Sequence, residues 1–280
     1  MGVHAFSYDA LPGRIVFGAG TARTELRSEV ERLGASRLLL IASERVRGLT
    51  APFADRVVAT FTDVREHVPV ATAEAARVAA AGADAVLCIG GGSTVGTAKA
   101  VALATRLPIL AVPTTYSGSE VTPVWGTSQD GVKTTGTDPV VLPRTVVYDP
   151  ELTASLPPGQ VVASALNAMA HCVEAFWAPG RNPMSTVVAE EGVRSLAAGL
   201  RDDDPAALLL GAYLAGSALA AAGTGLHHKL AHVLGGLGLP HARTHAVVLP
   251  HVLAFNAPGA PDALVRIARA LGVDDAVAGL

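Results

Sequence analysis

Seven of the nine histidines lie between residues 171 and 251: His171, His227, His228, His232, His241, His245 and His251. Imidazole exchanges protons near neutral pH and ligates metals, so such a concentration points to proton transfer, anion binding or a metal. His228 and His232 are four residues apart, as are Asn167 and His171, which puts each pair on one face of a helix. Pairs on facing helices can converge on a single point inside a bundle. His171, His228, His232 and His241 form the candidate cluster. His227, His245 and His251, taken singly, read as hydrogen-bonded interior histidines or caps. Asn167 stands where a metal site would want a carboxylate.

A second chemistry comes from glycine. "CIGGGSTVGTAKAVAL" sets Gly90, Gly91 and Gly92 between an apolar strand-like run and a helical one. Glycines there allow a tight turn and close approach of a bulky anion, with Ser93 and Thr94 adding hydroxyls at the positive end of the next helix. The motif is neither G-x-G-x-x-G nor a Walker loop, and a glycine turn alone also serves purely structural ends. "VPTTYSGSEVT" supplies a second polar loop, with Thr114, Thr115, Ser117, Ser119 and Thr122. Two such loops at the carboxyl ends of parallel strands suit a nucleotide.

The elements that must hold these residues fall into two kinds. Runs at 14–20, 37–43, 85–91, 108–114 and 144–150 are apolar, branched and bounded by turns, as strands buried on both faces are. Helical spacing between them, in "TARTELRSEVERLGA" with a Thr cap and a stop at Gly34 and in "TAEAARVAAAGA", predicts a parallel sheet covered by helices. From residue 152 the pattern is helical throughout. The expected division is therefore a dinucleotide-binding α/β domain over 1–151 and a helical catalytic domain over 152–280, with ligands between them.

Half the residues are hydrophobic, 16% are charged and the formal charge is -3, which suits a compact enzyme and neither nucleic acid nor an anionic membrane. Two cysteines, Cys88 and Cys172, build no disulfide framework. Residues 206 to 226 carry no charge but are mostly Ala and Gly without Lys/Arg anchors, so a buried core helix is expected rather than a membrane span. The opening "MGVHAFSYDA" lacks a basic segment followed by an apolar run, and a cytoplasmic location is expected.

"GGGSTVGTAKAVAL", "PTTYSGSEVTPVWG", "LPRTVVYDPELTASLP", "NAMAHCVEA", "GLHHKLAHVLGG" and "LPHARTHAVVLPHVLAFN" together resemble the iron-containing alcohol dehydrogenase superfamily, in its maleylacetate reductase branch. The resemblance runs from "FSYDALPGRIVFGAG" to the last residues. It implies a Rossmann-like α/β domain with a parallel sheet that binds NADH or NADPH, followed by an all-α domain, the dehydroquinate synthase-like fold. It also implies reduction of maleylacetate, a small dicarboxylate, to 3-oxoadipate in the breakdown of aromatic compounds. The metal ligands of the metal-dependent members fall on Asn167, His171, His228 and His241, and His232 takes the place of the histidine beside the nicotinamide. With the one anionic ligand replaced by an amide, no tightly bound metal is expected.

On that reading His171, His228, His232 and His241 supply protons and bind carboxylates, with Tyr116 and Lys133 as further substrate partners. Gly91, Gly92, Ser93, Thr94, Thr114, Thr115, Ser119 and Thr122 meet the cofactor. Glu44, after the second strand, would meet the adenine ribose and favour NADH. Two features depart from the family. "VLGGLGLP" makes the spacing from His232 to His241 one residue short, and the chain ends at Leu280 where relatives run on, so a homodimer is expected to cover the helical domain. The alternatives are a scaffold recruited to a non-redox step, a cofactor-binding protein without turnover, and a metal-dependent alcohol dehydrogenase.

Overall fold

The computed structural model describes residues 6–11, 13–236, 239 and 241–280, without the side chains of Glu44, Arg47, His232, Gly236, His241, Ala242 and Arg243. The chain forms two compact units, one spanning Gly13–Val161 and the other built on Val162–Leu280.

The first unit holds eight strands: β1 (Arg14–Phe17), β2 (Leu38–Ala42), β3 (Val57–Phe61), β4 (Ala85–Gly90), β5 (Ile109–Pro113), β6 (Val124–Gln129), β7 (Val132–Thr137) and β8 (Thr145–Tyr148). Its helices are α1 (Thr21–Thr24), α2 (Leu26–Arg32), α3 (Val70–Ala79) and α4 (Gly92–Thr105). Six strands make one sheet in the order β1-β8-β5-β4-β2-β3, all neighbours parallel. Side chains alternate across it. Leu38, Leu40, Leu87, Ile89, Leu110 and Val112 pack with Ala22, Leu26 and Val30 of α1 and α2, while Leu39, Ile41, Val86, Cys88, Ile109 and Ala111 are buried on the opposite face. The three central strands are therefore unbroken apolar runs, and those runs are what make them visible in the sequence.

Three local features differ from the expectation. β3 at the sheet edge reads "VVATF" with alternating exposure, so it lacks the continuous apolar run of an inner strand. β6 and β7 form an antiparallel hairpin turning at Asp130-Gly131, both with positive φ (51° and 78°), as a two-residue type I′ turn requires. The first helical segment is broken at Glu25, and Thr21 is not its cap. Its hydroxyl donates to the carbonyls of Gly18 and Tyr148. The buried carboxylate of Asp149 accepts from the amides of Gly20 (3.0 Å) and Ala22 (3.1 Å) instead, capping α1 from the end of the adjacent strand β8. Gly34 does stop the second segment, at φ 73°.

The second unit carries most of α5 (Pro158–Ala175), then α6 (Pro183–Asp202), α7 (Pro205–Ala222), α8 (Leu226–Gly236), α9 (His241–Asn256), α10 (Pro261–Leu271) and α11 (Ala276–Gly279), with no strand among the described residues. α6 starts with Asn182 accepting from the amides of Met184 and Ser185 while Ser185 answers to the Asn182 amide, and α7 starts on the Asp204 carboxylate. α7 is long and apolar enough to cross a membrane by length and composition alone. It packs along α6 with Leu208, Leu209, Ala212, Ala215 and Ala218 buried, which is the behaviour of a core helix.

Candidate active site

Both polar loops of the first unit leave the carboxyl ends of adjacent strands and are stitched to each other. The Thr114 amide donates to the Gly90 carbonyl at 3.0 Å, extending the β4–β5 pairing into the loops. A Cβ on Gly90 would lie 2.3 Å from Thr94 Oγ1 in the first turn of α4, and one on Gly91 would lie 2.9 Å from Thr115 Cγ2, so glycine at 91 lets the second loop lie this close to the first. α4 begins here, with fourteen residues and no acidic side chain in its first turn. Its first amides, at Gly92 and Ser93, face away from the helix body and suit a phosphate. The residues present thus fit a dinucleotide pyrophosphate.

Of the expected cofactor residues, Gly91, Gly92, Ser93, Thr114, Thr115 and Ser119 are half-buried along this seam. Thr94 and Thr122 are not presented in the same way. Thr94 is buried with its hydroxyl against Gly90, and Thr122, buried too, donates to the Ser119 carbonyl (3.0 Å). Both hold the loops from inside. The side chain of Glu44, on which the expected preference for NADH rests, lies outside the described residues.

The sequence reading missed the group that fixes these loops. Lys99, on α4 and 1% exposed, reaches the Ser119 carbonyl (2.6 Å), the Thr122 carbonyl (2.7 Å) and hydroxyl (3.1 Å), and the Val124 carbonyl (2.7 Å). Burial pushes its ammonium down to about 7, against the opposing pull of Glu120. Glu120 is itself buried. Desolvation raises its carboxyl, while Tyr148 donates to it at 2.8 Å. The signal was present, since a lysine in an otherwise apolar helix, "GTAKAVALA", must find acceptors.

Tyr116 is buried and donates to Thr153 Oγ1 (3.1 Å). Lys133 is an exposed residue on β7.

In the helical unit the histidines do converge. His171 on α5 stacks on His228 of α8 with ring centroids 4.8 Å apart. His227, His228 and His245 form a near-equilateral triangle, with centroid distances of 5.1, 4.9 and 5.0 Å. All four are buried. His227 and His245, which singly read as interior residues, are thus part of the same cluster, whereas His251 is exposed. His232 on α8 and His241, the first residue of α9, lie outside the described residues as side chains, as does most of the short stretch between the two helices.

Partners fix which ring atoms remain. His227 Nε2 lies 2.9 Å from the His245 carbonyl and so carries the proton, which leaves Nδ1 as a bare acceptor. Burial lowers the pKa of this ring, favouring the neutral form. His228 Nδ1 lies 2.5 Å from Glu174 Oε2. Buried His227 Nδ1, His228 Nε2 and Asn167 Oδ1 have no hydrogen-bond partner among the described residues. Ring nitrogens of His227, His228 and His245 all lie within 4.8 Å of one another. His227 Nδ1 and His228 Nε2 are thus ring atoms of this cluster through which a ligand can be bound.

Known proteins agree with both halves. Residues 12–150 match the family model described as iron-containing alcohol dehydrogenase, and residues 161–279 match that of the C-terminal region of the same family. The chain is 49% identical over 284 residues to a maleylacetate reductase of Sphingobium indicum, covering 96% of this chain and 80% of the relative. The chain belongs to the iron-containing alcohol dehydrogenase family. Within it, the sequence falls in the maleylacetate reductase branch. A crystal structure of maleylacetate reductase from Agrobacterium tumefaciens superimposes with a TM-score of 0.93 at 43% identity, over 99% of this chain and 82% of that one. An iron-containing alcohol dehydrogenase from Corynebacterium glutamicum gives 0.93 at 47% identity, over 99% and 82%. Members of this family are NAD(P)H-dependent oxidoreductases, which accords with the fit of the glycine seam to a pyrophosphate.

Proposed function

We propose that the protein reduces the carbon–carbon double bond of maleylacetate to 3-oxoadipate with NADH or NADPH, without a bound metal, in the degradation of aromatic compounds. Relatives named maleylacetate reductase, 43% to 49% identical over nearly the whole chain, support the substrate. The observation that carries the metal-free part is Asn167: a neutral amide with a buried, unpartnered oxygen sits four residues before His171, in the place of the family's carboxylate.

A nicotinamide cofactor, held at the Gly91–Ser93 start of α4, would supply the hydride for one alkene carbon; the substrate ketone would then carry enolate charge and the second alkene carbon would need a proton. The protein has to stabilise that oxygen, give that proton and hold two carboxylates. Buried imidazoles at His171, His227, His228 and His245 suit all three tasks, because each can present an N–H or a lone pair according to its partner. His232 and His241 complete the proposed set. We place this enzyme in the cytoplasm as a homodimer acting on a free small molecule.

A second reading has one observation in its favour. The three ring nitrogens of His227, His228 and His245, with Glu174 behind His228, are a donor set that a divalent cation could use. Oxidation of NADH with fresh maleylacetate, followed by absorbance with chelator and with added Zn²⁺ or Fe²⁺, separates the two. Turnover that survives chelation is expected. Loss of turnover on chelation, restored by metal, overturns the metal-free reading, and no turnover by a sample that binds NADH overturns the reductase itself.

A further inference from the structure

The cluster has a residue behind it that the histidine spacing does not reveal. Glu174, one turn beyond His171 on α5, is 0% exposed. Its carboxylate accepts from the amides of Gly225 (3.0 Å), His227 (2.7 Å) and His228 (3.4 Å), and from His228 Nδ1 (2.5 Å). One carboxylate thus caps the start of α8 and grips the ring of the second histidine in it. The approach is close enough that a Cβ on Gly225 would fall 2.7 Å from Glu174 Oε1, so glycine at 225 is a condition of the contact.

We propose that Glu174 is a positioning residue for the reduction, holding His228 with its proton on Nδ1 so that Nε2 is the one ring atom left to meet the substrate. The proposal rests on the reductase reading above. Its physical content is the removal of two freedoms. The α8 cap fixes the backbone from which the ring projects, and the carboxylate fixes the ring's flip and tautomer. Without Glu174 the neutral ring can place its proton on either nitrogen and turn either edge inward.

Nitrogen NMR of the histidine rings in the wild-type protein tests the premise without turnover. A proton on Nδ1 of His228, assigned by its loss in His228→Asn, is expected. A neutral ring protonated only at Nε2 overturns the proposal. Glu174→Gln then tests the consequence: kcat for maleylacetate falls about 10- to 100-fold, KM for NADH stays within about twofold, and the His228 signal shows a mixture of tautomers. An unchanged kcat with an unchanged tautomer in a folded variant overturns it. If Glu174→Gln does not fold, Gly225→Ala displaces the carboxylate while keeping the acid, and the same drop in kcat is expected of it. Full kcat in Gly225→Ala, with the Nδ1 proton lost, overturns the proposal too. Failure of the wild-type protein to reduce maleylacetate sinks the reductase reading and leaves the NMR result standing on its own.

Discussion

The seam between the two loops of the α/β unit and the histidine cluster of the helical unit treat buried polar atoms in opposite ways. Around the seam they are saturated: Lys99 reaches four oxygens, Glu120 accepts from Tyr148, and Thr122 both donates and accepts. In the cluster, acceptors on Asn167, His227 and His228 are left without partners among the described residues. A nucleotide site built from backbone can be finished before its ligand arrives, because amides and glycines leave the surface that the phosphates need. A site that must exchange protons and bind carboxylates has to leave side-chain atoms for them.

Lys99→Met strikes the saturated region and carries the largest expected effect. It leaves three carbonyls without their donor and Glu120 without its counter-charge, so a loss of about 3–5 kcal/mol in urea unfolding is expected. The pH dependence sharpens this. The Lys99 ammonium is pushed to about 7 in the folded protein, and an unfolded lysine titrates near 10.4. Between those values the unfolded chain binds more protons, so Lys99 makes stability rise with pH from about 7 to about 10. The gap between wild type and Lys99→Met should therefore widen over that range. A constant gap would mean that the ammonium stays fully charged in its nest of oxygens.

The two regions also differed in how legible they were. Inner strands and the glycine seam announced themselves, since a doubly buried strand has to be an apolar run and a close loop crossing has to be glycine. The edge strand β3 did not, because one of its faces is wet. The β6–β7 hairpin carried an Asp130-Gly131 turn signal, but its strands are rich in Thr, Ser and Gly and show no apolar run around it. For the histidines, i,i+4 spacing paired Asn167 with His171 and His228 with His232 and left the two pairs to converge from facing helices; His171 and His228 do stack, but the reading set aside His227 and His245. Spacing reports which residues share one helix face. It does not report that a tight α8 start, fixed by Glu174, brings adjacent His227 and His228 into the same cluster. Polar loop residues such as Tyr116 and Thr122 read as ligand contacts from type alone, and sequence does not report the internal hydrogen bonds their hydroxyls make to Thr153 and Ser119.

Asn167→Asp acts on the unsaturated region. It puts an anionic oxygen one turn before His171 on α5, and it is expected to turn the cluster into a site for Zn²⁺ or Fe²⁺. A cation at 100 times its dissociation constant would stabilise the variant by about 2.7 kcal/mol, read as a rise in melting temperature and as retained metal after dialysis. Wild type should show neither. Equal stabilisation of the wild type would instead support the His227, His228 and His245 donor set.

The smallest effect comes from a control inside the helical unit. Glu190 on α6 accepts from Arg266 (2.7 Å) and from Arg269 of α10, and Arg266 also lies 5.3 Å from the centre of the Phe176 ring. This carboxylate is as well supplied as Lys99, so a buried charge in the helical unit can be fully paired away from the histidines. Burial works to raise the Glu190 carboxyl, but the two guanidiniums outweigh it and hold the pKa below the usual range. A depressed carboxyl adds stability at pH values above the unfolded pKa, and that stability is lost as pH falls through the folded one. Glu190→Gln should therefore cost about 1 kcal/mol near neutrality, with Arg269 largely in solvent. The difference should vanish in acid, below the folded pKa of Glu190. NADH binding and maleylacetate turnover should be untouched. A loss of turnover in this variant would mean that the α6–α10 contact is coupled to the histidines, and the division between a saturated scaffold and an unsaturated site would no longer hold.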